Sequence, residues 1–404
     1  MQWIVFGEDW GNHPSSTQHL FKQISQQDHV TWVNSLGLRT PRLTQHDVQR
    51  AFIKAKAMLN ARHKPLASEQ ASIHSAYAPQ QLIQPRTVPL FGSPIIRHFN
   101  RHQLGKQLKQ SISSNNALAY QESQTTTSQT QTKEPRVLWL SLPSAVDMIG
   151  HCDEDLSVYY CGDDFSSLAG VDHRVISRME AELVERCDLI FTASEELAAK
   201  FPQQKTHLLE HGVDYPLFST PQPTPEHSPT GKVMGFYGQL ADWVDIELLE
   251  QIADLFPDWT LMLIGAIHTD TRDLLNRENV ICMDAMAHEK LAAYCQHWQL
   301  ALLPFKPCEQ ITHCNPLKLR EYLATGTPVM SLRFPAAEQY SASITLADNQ
   351  AGFLQQLDLL VSRIGCFSAA QRQQLAIKQQ ALVQEDSWQY KAEYARDRII
   401  EKLI

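Results

Sequence analysis

The 404-residue chain predicts an α/β protein built from two Rossmann-like βαβ domains, and three observations carry that reading. Its length exceeds what one hydrophobic core normally supports. In both halves, short apolar runs alternate with stretches of helical periodicity, the pattern of parallel strands joined by crossover helices. Five prolines (Pro216, Pro221, Pro223, Pro225 and Pro229) form a semi-rigid spacer, after which the strand pattern restarts. The expected domains are therefore 1–215 and 232–385, joined by a linker over 216–231, with a closing helix over 386–404.

The first half opens with the buried run Gln2-Trp-Ile-Val-Phe6, which feeds the loop Gly7-Glu-Asp-Trp-Gly11. Helical periodicity over 19–24 and a strand over 30–33 complete a first βαβ unit, whose ligand loops belong at the strand C-termini. Residues 61–95, rich in Pro, Gln and Ser, read as a long surface excursion. Residues 96–110 read as a basic amphipathic helix in which Arg97, Arg101, Lys106 and Lys109 alternate with Ile96, Phe99, Leu104 and Leu108. Such a helix either lies on an anionic membrane surface or packs its apolar face on the domain. The tract 111–132, dominated by Ser, Gln, Thr and Asn, is too polar to pack and reads as disordered. Strands follow at 137–142, 158–160, 189–192 and 208–212, with a helix over 175–186 and another capped by Ser194.

The second half restarts with Val233-Met-Gly-Phe-Tyr237, ended by Gly238. Helices over 246–255 and 288–298 alternate with strands over 260–265, 280–283 and 300–304. The stretch Asn315-Pro-Leu-Lys-Leu-Arg-Glu-Tyr-Leu-Ala-Thr-Gly-Thr-Pro-Val-Met330 reads as a loop, a helix, a turn and a strand. Pro316 suits the first helical position, where its missing N–H costs nothing. Gly326 supplies a left-handed cap and Pro328 a stop. The start of this helix presents free N–H groups to an anion. Lys318 adds a point charge, and Glu321, one turn on, can accept hydrogen bonds from hydroxyls. A phosphate and a ribose fit side by side.

Composition narrows the function. The chain is 43% apolar and 20% charged with a net charge of −9, the profile of a soluble globular protein, with neither a membrane span nor a signal peptide. Residues 1–140 hold 15 Lys and Arg against 7 Asp and Glu, leaving −17 for the remainder. The acidic second half argues against a nucleic-acid partner. The basic first half suits an anionic bilayer or a pyrophosphate-bearing acceptor. Eight cysteines without a CxxC pair read as free thiols in a reducing compartment, so the expected location is cytoplasmic, either free or, through the basic first half, peripheral on the inner face of the membrane.

The 315–330 pattern resembles the donor-binding segment of GT-B glycosyltransferases, in the branch that includes bacterial teichuronic-acid and exopolysaccharide enzymes. The likeness extends to Gly235-Phe-Tyr-Gly-Gln-Leu-Ala-Asp-Trp-Val-Asp245, Leu300-Ala-Leu-Leu-Pro-Phe305, Tyr159-Tyr-Cys-Gly-Asp-Asp-Phe165, Cys187-Asp-Leu-Ile-Phe-Thr-Ala-Ser194 and His211-Gly-Val-Asp214. It implies two Rossmann-like domains facing across a cleft, with the closing helix packed back on the first. It also implies transfer of a sugar from a UDP- or GDP-linked donor to a saccharide or lipid-linked acceptor in surface polysaccharide synthesis. The donor is a substrate, and no cofactor or metal is expected. A non-catalytic sugar-nucleotide-binding module and a sugar-nucleotide epimerase are the competing readings.

Carried over residue by residue, the resemblance gives Glu321 the donor ribose. The position eight residues earlier, an acid in the family, is His313 here, which can donate a hydrogen bond to a sugar hydroxyl. Thr312 and Asn315 complete a neutral sugar pocket, and the backbone at Pro316, Leu317 and Lys318 meets the diphosphate. Gly238 lets backbone approach the phosphate, Asp242 orients sugar hydroxyls, and Asp284 lies where relatives recognise the base. Relatives place a basic pair after the first strand of this domain, and this chain lacks it. In the first domain Asp163 and Asp164 are candidate bases for the acceptor hydroxyl, or a turn-forming pair. Asp9, Trp10 and His13 are alternative acceptor contacts. Asp9, His13, Asp163 and Asp164 lack metal-ligand spacing.

Overall fold

The computed structural model of the chain describes residues 1–12, 15–38, 78–122, 134–168 and 171–404. Its strands form a seven-stranded and a six-stranded sheet. The first holds β1 (Gln2–Phe6), β2 (His29–Val33), β3 (Gln81–Ile83), β4 (Arg136–Leu140), β5 (Leu156–Cys161), β6 (Leu189–Thr192) and β7 (Thr206–Leu208), in the order β3-β2-β1-β4-β5-β6-β7. The second holds β8 (Val233–Tyr237), β9 (Thr260–Ile264), β10 (Val280–Met283), β11 (Leu300–Leu303), β12 (Val329–Leu332) and β13 (Thr345–Ala347), in the order β10-β9-β8-β11-β12-β13. Pairing is parallel from β3 through to β6 and across the whole second sheet. Helices cover both faces of such a sheet, so its strands are buried on both sides and read as unbroken apolar runs. β5 and β8 are buried at every residue.

Each sheet starts at a central strand, winds to one edge, then returns and winds to the other. The strand order therefore reverses between β1 and β4, and again between β8 and β11. Beyond the strand C-termini at such a reversal, the loops splay apart and leave a crevice for a ligand. That rule singles out the loops after β1 and β4 in one sheet, and after β8 and β11 in the other.

The chain divides into two units. Unit 1 is Met1–Thr192 with Phe201–His207 and Ala395–Ile404; unit 2 is Ala193–Lys200 with Leu208–Tyr394. In unit 1 the core centres on Trp3, Phe21, Trp32 and Trp139, packed edge to face. Asp28 is buried beneath them, accepting from the Trp3 indole at 2.9 Å and pairing with Arg396 at 3.1 Å. Arg396 lies on the closing helix, Trp388–Leu403, whose residues up to Tyr394 group with unit 2.

Several elements differ from the sequence expectation. The 61–95 excursion contains β3, and a helix spans Pro94–Glu122. That helix runs on through the first twelve residues of the tract read as disordered; residues 111–122 contain neither glycine nor proline to stop it. The rest of that tract lies outside the described residues. Arg97, expected to be a free cation, is held by Asp147 at 2.8 Å and by Glu182 at 2.5 Å, while Leu104 and Leu108 are buried. The strand expected at 208–212 is instead Thr206–Leu208, because Asp214 caps a short helix, Tyr215–Ser219, that takes up the start of the expected linker. None of the eight cysteines forms a disulfide.

Candidate active site

In unit 2 the site is built at the strand-order reversal. The helix Leu317–Thr325 follows β11, and Gly238 ends β8. Pro316 is the residue before the helix rather than its first residue, with φ −69° and ψ 126°, an extended conformation that proline tolerates at the entry. No side chain caps this end, so first-turn N–H groups remain available to an anion, reinforced by the helix dipole. The other end closes as expected: Gly326 has φ +76°, the left-handed region that glycine enters without strain.

Lys318 leans from the first turn over two aromatic rings, its Nζ 4.9 Å from the centroid of Phe236 and 5.3 Å from that of Phe305. Gly238 has φ +137°, and a Cβ there would meet the Lys318 Nζ at 2.5 Å. Glycine is therefore required twice, for its backbone angle and for the space the ammonium fills. Burial lowers the Lys318 pKa, opposed by Cys314 and Glu321. Phe236 and Phe305 lie in the runs that carry the family likeness, but the sequence alone assigns neither a role.

Glu321 departs from its expected role. It is only 3% exposed, and both carboxylate oxygens are engaged. Oε1 meets His288 Nε2 at 2.5 Å, and Oε2 accepts from the Tyr237 hydroxyl. Desolvation alone would lower the His288 pKa, but the Glu321 charge and hydrogen bond, with Asp214 and Glu289, raise it overall. A buried carboxylate requires such partners. Glu321 thus anchors the helix to β8 and to the start of the helix His288–Gln296, and His288 keeps somewhat more exposed surface than Glu321, 11% against 4% of the side chain.

Asn315 likewise is not a sugar contact. Only 1% exposed, its Nδ2 donates to the Ala193 carbonyl at 2.8 Å and to Glu210 at 3.1 Å, while its Oδ1 accepts from Arg320 Nη1 at 2.5 Å. A buried amide must satisfy its donors and acceptor within the protein. Arg320, fully buried, also lies 3.2 Å from Glu210, 3.5 Å from Asp386 and over the Tyr340 ring.

The remaining donor-side candidates are accessible. Thr312 is exposed and bonds the Cys308 carbonyl at 3.1 Å. His313 is half-buried, and its Nδ1 lies 2.9 Å from the Glu309 carbonyl. A carbonyl only accepts, so Nδ1 donates to it. Asp242 is exposed on the turn after β8, Trp243 packs partly against the core, and Asp284 is exposed just past β10. β10 is the edge strand, two positions from β8, so Asp284 stands roughly 10 Å to one side at the usual strand spacing.

In unit 1 the two candidate bases separate. Asp164 is buried and accepts from the backbone N of Ser166 at 3.1 Å and from its hydroxyl at 2.6 Å, which makes it the organiser of a turn. Asp163 keeps accessible surface at the end of β5. Desolvation by the surrounding protein, then the charges of Glu8 and Asp164, push its carboxyl up to about 7. Glu8, missed in the sequence although it adjoins Asp9, accepts from the Ser15 hydroxyl at 2.7 Å, and burial raises its pKa too. Asp9 accepts from the Ser35 N–H at 3.1 Å and so shapes its loop, while Trp10 packs edge-on to Trp32 at 4.7 Å. His13 lies outside the described residues. Among the described residues, no group of His, Cys, Asp and Glu is arranged to hold a metal ion, and no helix is long and apolar enough to cross a membrane.

No family model matches the chain. It is 26% identical over 224 residues to TuaH of Bacillus subtilis, whose name assigns it to teichuronic acid biosynthesis as a glycosyltransferase; the match spans 50% of this chain and 56% of that protein. The whole chain is similar in structure to HepE of Anabaena, solved with UDP and glucose, at a TM-score of 0.63 and 12% identity, covering 99% of this chain and 100% of that one. It is also similar to the trehalose-6-phosphate protein of E. coli bound to UDP-2-fluoro glucose, at 0.59 and 11%, covering 100% and 99%. TarM matches at 0.57 and 8%, covering 100% and 98%. The two doubly wound sheets and these likenesses together make the fold of this chain that of the GT-B glycosyltransferases.

Proposed function

We propose that the chain is a glycosyltransferase that moves a sugar from a nucleoside-diphosphate donor to a saccharide or lipid-linked acceptor in surface polysaccharide synthesis. The observation that carries this reading is the phosphate site in unit 2. An uncapped helix start, a half-buried ammonium and a glycine that leaves room for it converge at the strand-order reversal. Developing charge on a leaving diphosphate is stabilised by that combination without a metal. UDP or GDP is the favoured carrier, and the TuaH likeness supports an acceptor of the polysaccharide class. Cysteines without disulfides suit work inside the cell.

In this reading the Lys318 ammonium and the first-turn N–H groups hold the diphosphate, and His288 stands nearest the ribose. Thr312 and His313 meet the sugar, with Asp242 beside them. Asp163 takes the proton from the acceptor hydroxyl as that oxygen attacks the anomeric carbon and the nucleoside diphosphate leaves. A thermal-shift panel of UDP-, GDP-, ADP- and TDP-sugars tests the donor, since a ligand at one hundred times its Kd stabilises by about 2.7 kcal/mol. Release of nucleoside diphosphate from the best ligand, persisting in EDTA, is the expected activity. Binding without any release, with or without acceptor, marks a non-catalytic module instead.

A further inference from the structure

We propose that the outward face of the helix Pro94–Glu122 docks on an anionic lipid bilayer. Ile95, His98, Phe99, His102, Lys106 and Lys109 are all exposed, and their spacing of three and four places them on one face. Asn100, Leu104 and Leu108 are buried and hold the opposite face on unit 1. The outward face thus differs from the one expected in the sequence, because Arg97, Leu104 and Leu108 all turn inward. It runs about 21 Å along the helix axis at 1.5 Å per residue.

Its apolar end is prominent. Ile95 is 81% exposed and Phe99 50%. The segment before the helix extends it along one flank: the Val88 N–H bonds the Asn100 side chain at 2.8 Å, and Val88 and Leu90 are also exposed. The other end is cationic. Lys106 and Lys109 lie on the face, and the Arg86 N–H bonds the Gln107 side chain at 3.0 Å, which sets a further exposed cation beside them. The sequence has no Asp or Glu between Glu69 and Glu122. Of the acids on neighbouring elements, Asp147 and Glu182 are bound to Arg97.

Charge complementarity selects the occupant. Exposed Ile and Phe side chains can enter the headgroup–acyl boundary while neighbouring ammonium groups meet lipid phosphates. This inference does not depend on glycosyl transfer, and its test uses no donor. The full chain is expected to co-sediment with phosphatidylglycerol vesicles at low salt, to release as salt rises, and to leave phosphatidylcholine vesicles largely unbound. Each lysine contributes roughly five-fold to partitioning, so Lys106→Gln with Lys109→Gln is expected to reduce it by more than ten-fold. Phe99→Ser is expected to reduce it as well, with an unchanged melting temperature, because that side chain is half exposed. Absence of binding to phosphatidylglycerol at low salt overturns the proposal, as does binding that neither variant alters. A dimer in solution that Phe99→Ser dissolves, without vesicle binding, also overturns it and assigns the face to a second copy of the chain.

Discussion

The Lys318 ammonium occupies the space a side chain on Gly238 would need, since a Cβ there would come within 2.5 Å of Nζ. The end of β8 and the first turn of the helix after β11 are therefore fitted to each other before any ligand arrives. Gly238→Ala is expected to weaken nucleoside-diphosphate binding by displacing this ammonium and by straining a backbone at φ +137°. Lys318→Ala is expected to cost ~1.5–3 kcal/mol, the scale of a charge-assisted hydrogen bond. Calorimetry on both variants checks this, and unchanged affinity in both removes the phosphate from this segment.

Glu321 is expected to act first on stability. Its carboxylate holds Tyr237 and His288 from within the protein, so Glu321→Gln removes the carboxylate charge hydrogen-bonded to a largely buried histidine. Breaking one side of a buried charged pair typically costs about 3–5 kcal/mol. A melting temperature many degrees lower is the expected result. His288→Ala should selectively weaken nucleotides relative to free pyrophosphate. Equal loss for both ligands means that His288 does not face the ribose.

The limits of what could be read from the residues follow from this pair of sites. β8 and the helix Leu317–Thr325 were legible because a doubly buried parallel strand is a continuous apolar run, and because Pro316, Gly326 and Pro328 punctuate the chain locally. The partners of Glu321 were not. Tyr237 and His288 lie 84 and 33 residues upstream, and their meeting depends on sheet order, which no local pattern encodes. Asn315 misled for the same reason: a polar residue before a helix looks available until Ala193, Glu210 and Arg320 are seen to use it. In unit 1, Glu8 carried a readable signal as a third acid on the same edge, but its influence on Asp163 arises only because β1 and β5 flank β4.

Asp163 is expected to govern the acid limb of activity. Desolvation by the surrounding protein, with Glu8 and Asp164, pushes its carboxyl up to about 7 although the side chain keeps accessible surface, and a base works only when deprotonated. The pH profile of kcat/KM should therefore fall about ten-fold per unit below that value. Asp163→Asn is expected to lower kcat by roughly 10²–10⁴ while sparing donor affinity. Glu8→Gln removes a neighbouring negative charge and should shift the limb to lower pH. A limb unmoved by Glu8→Gln shows that the two carboxyls do not interact.

Acid should destabilise the fold through His211. It is 8% exposed, and its pKa is lowered to about 3, first by burial and then by the Arg320 charge; Lys391 lowers it further, and the backbone at Asn315 opposes them. Unfolding releases the ring to its ordinary value of 6.5, so between these two values the unfolded chain binds the extra proton. The His211 contribution is thus complete above pH 6.5 and declines by about 1.4 kcal/mol per unit as pH falls toward 3. His211→Asn keeps a polar side chain that cannot be protonated in this range. Its unfolding free energy by denaturant titration should fall less steeply with acid than that of the parent, whatever its stability at neutral pH. Parallel slopes in parent and variant place the titrating group elsewhere.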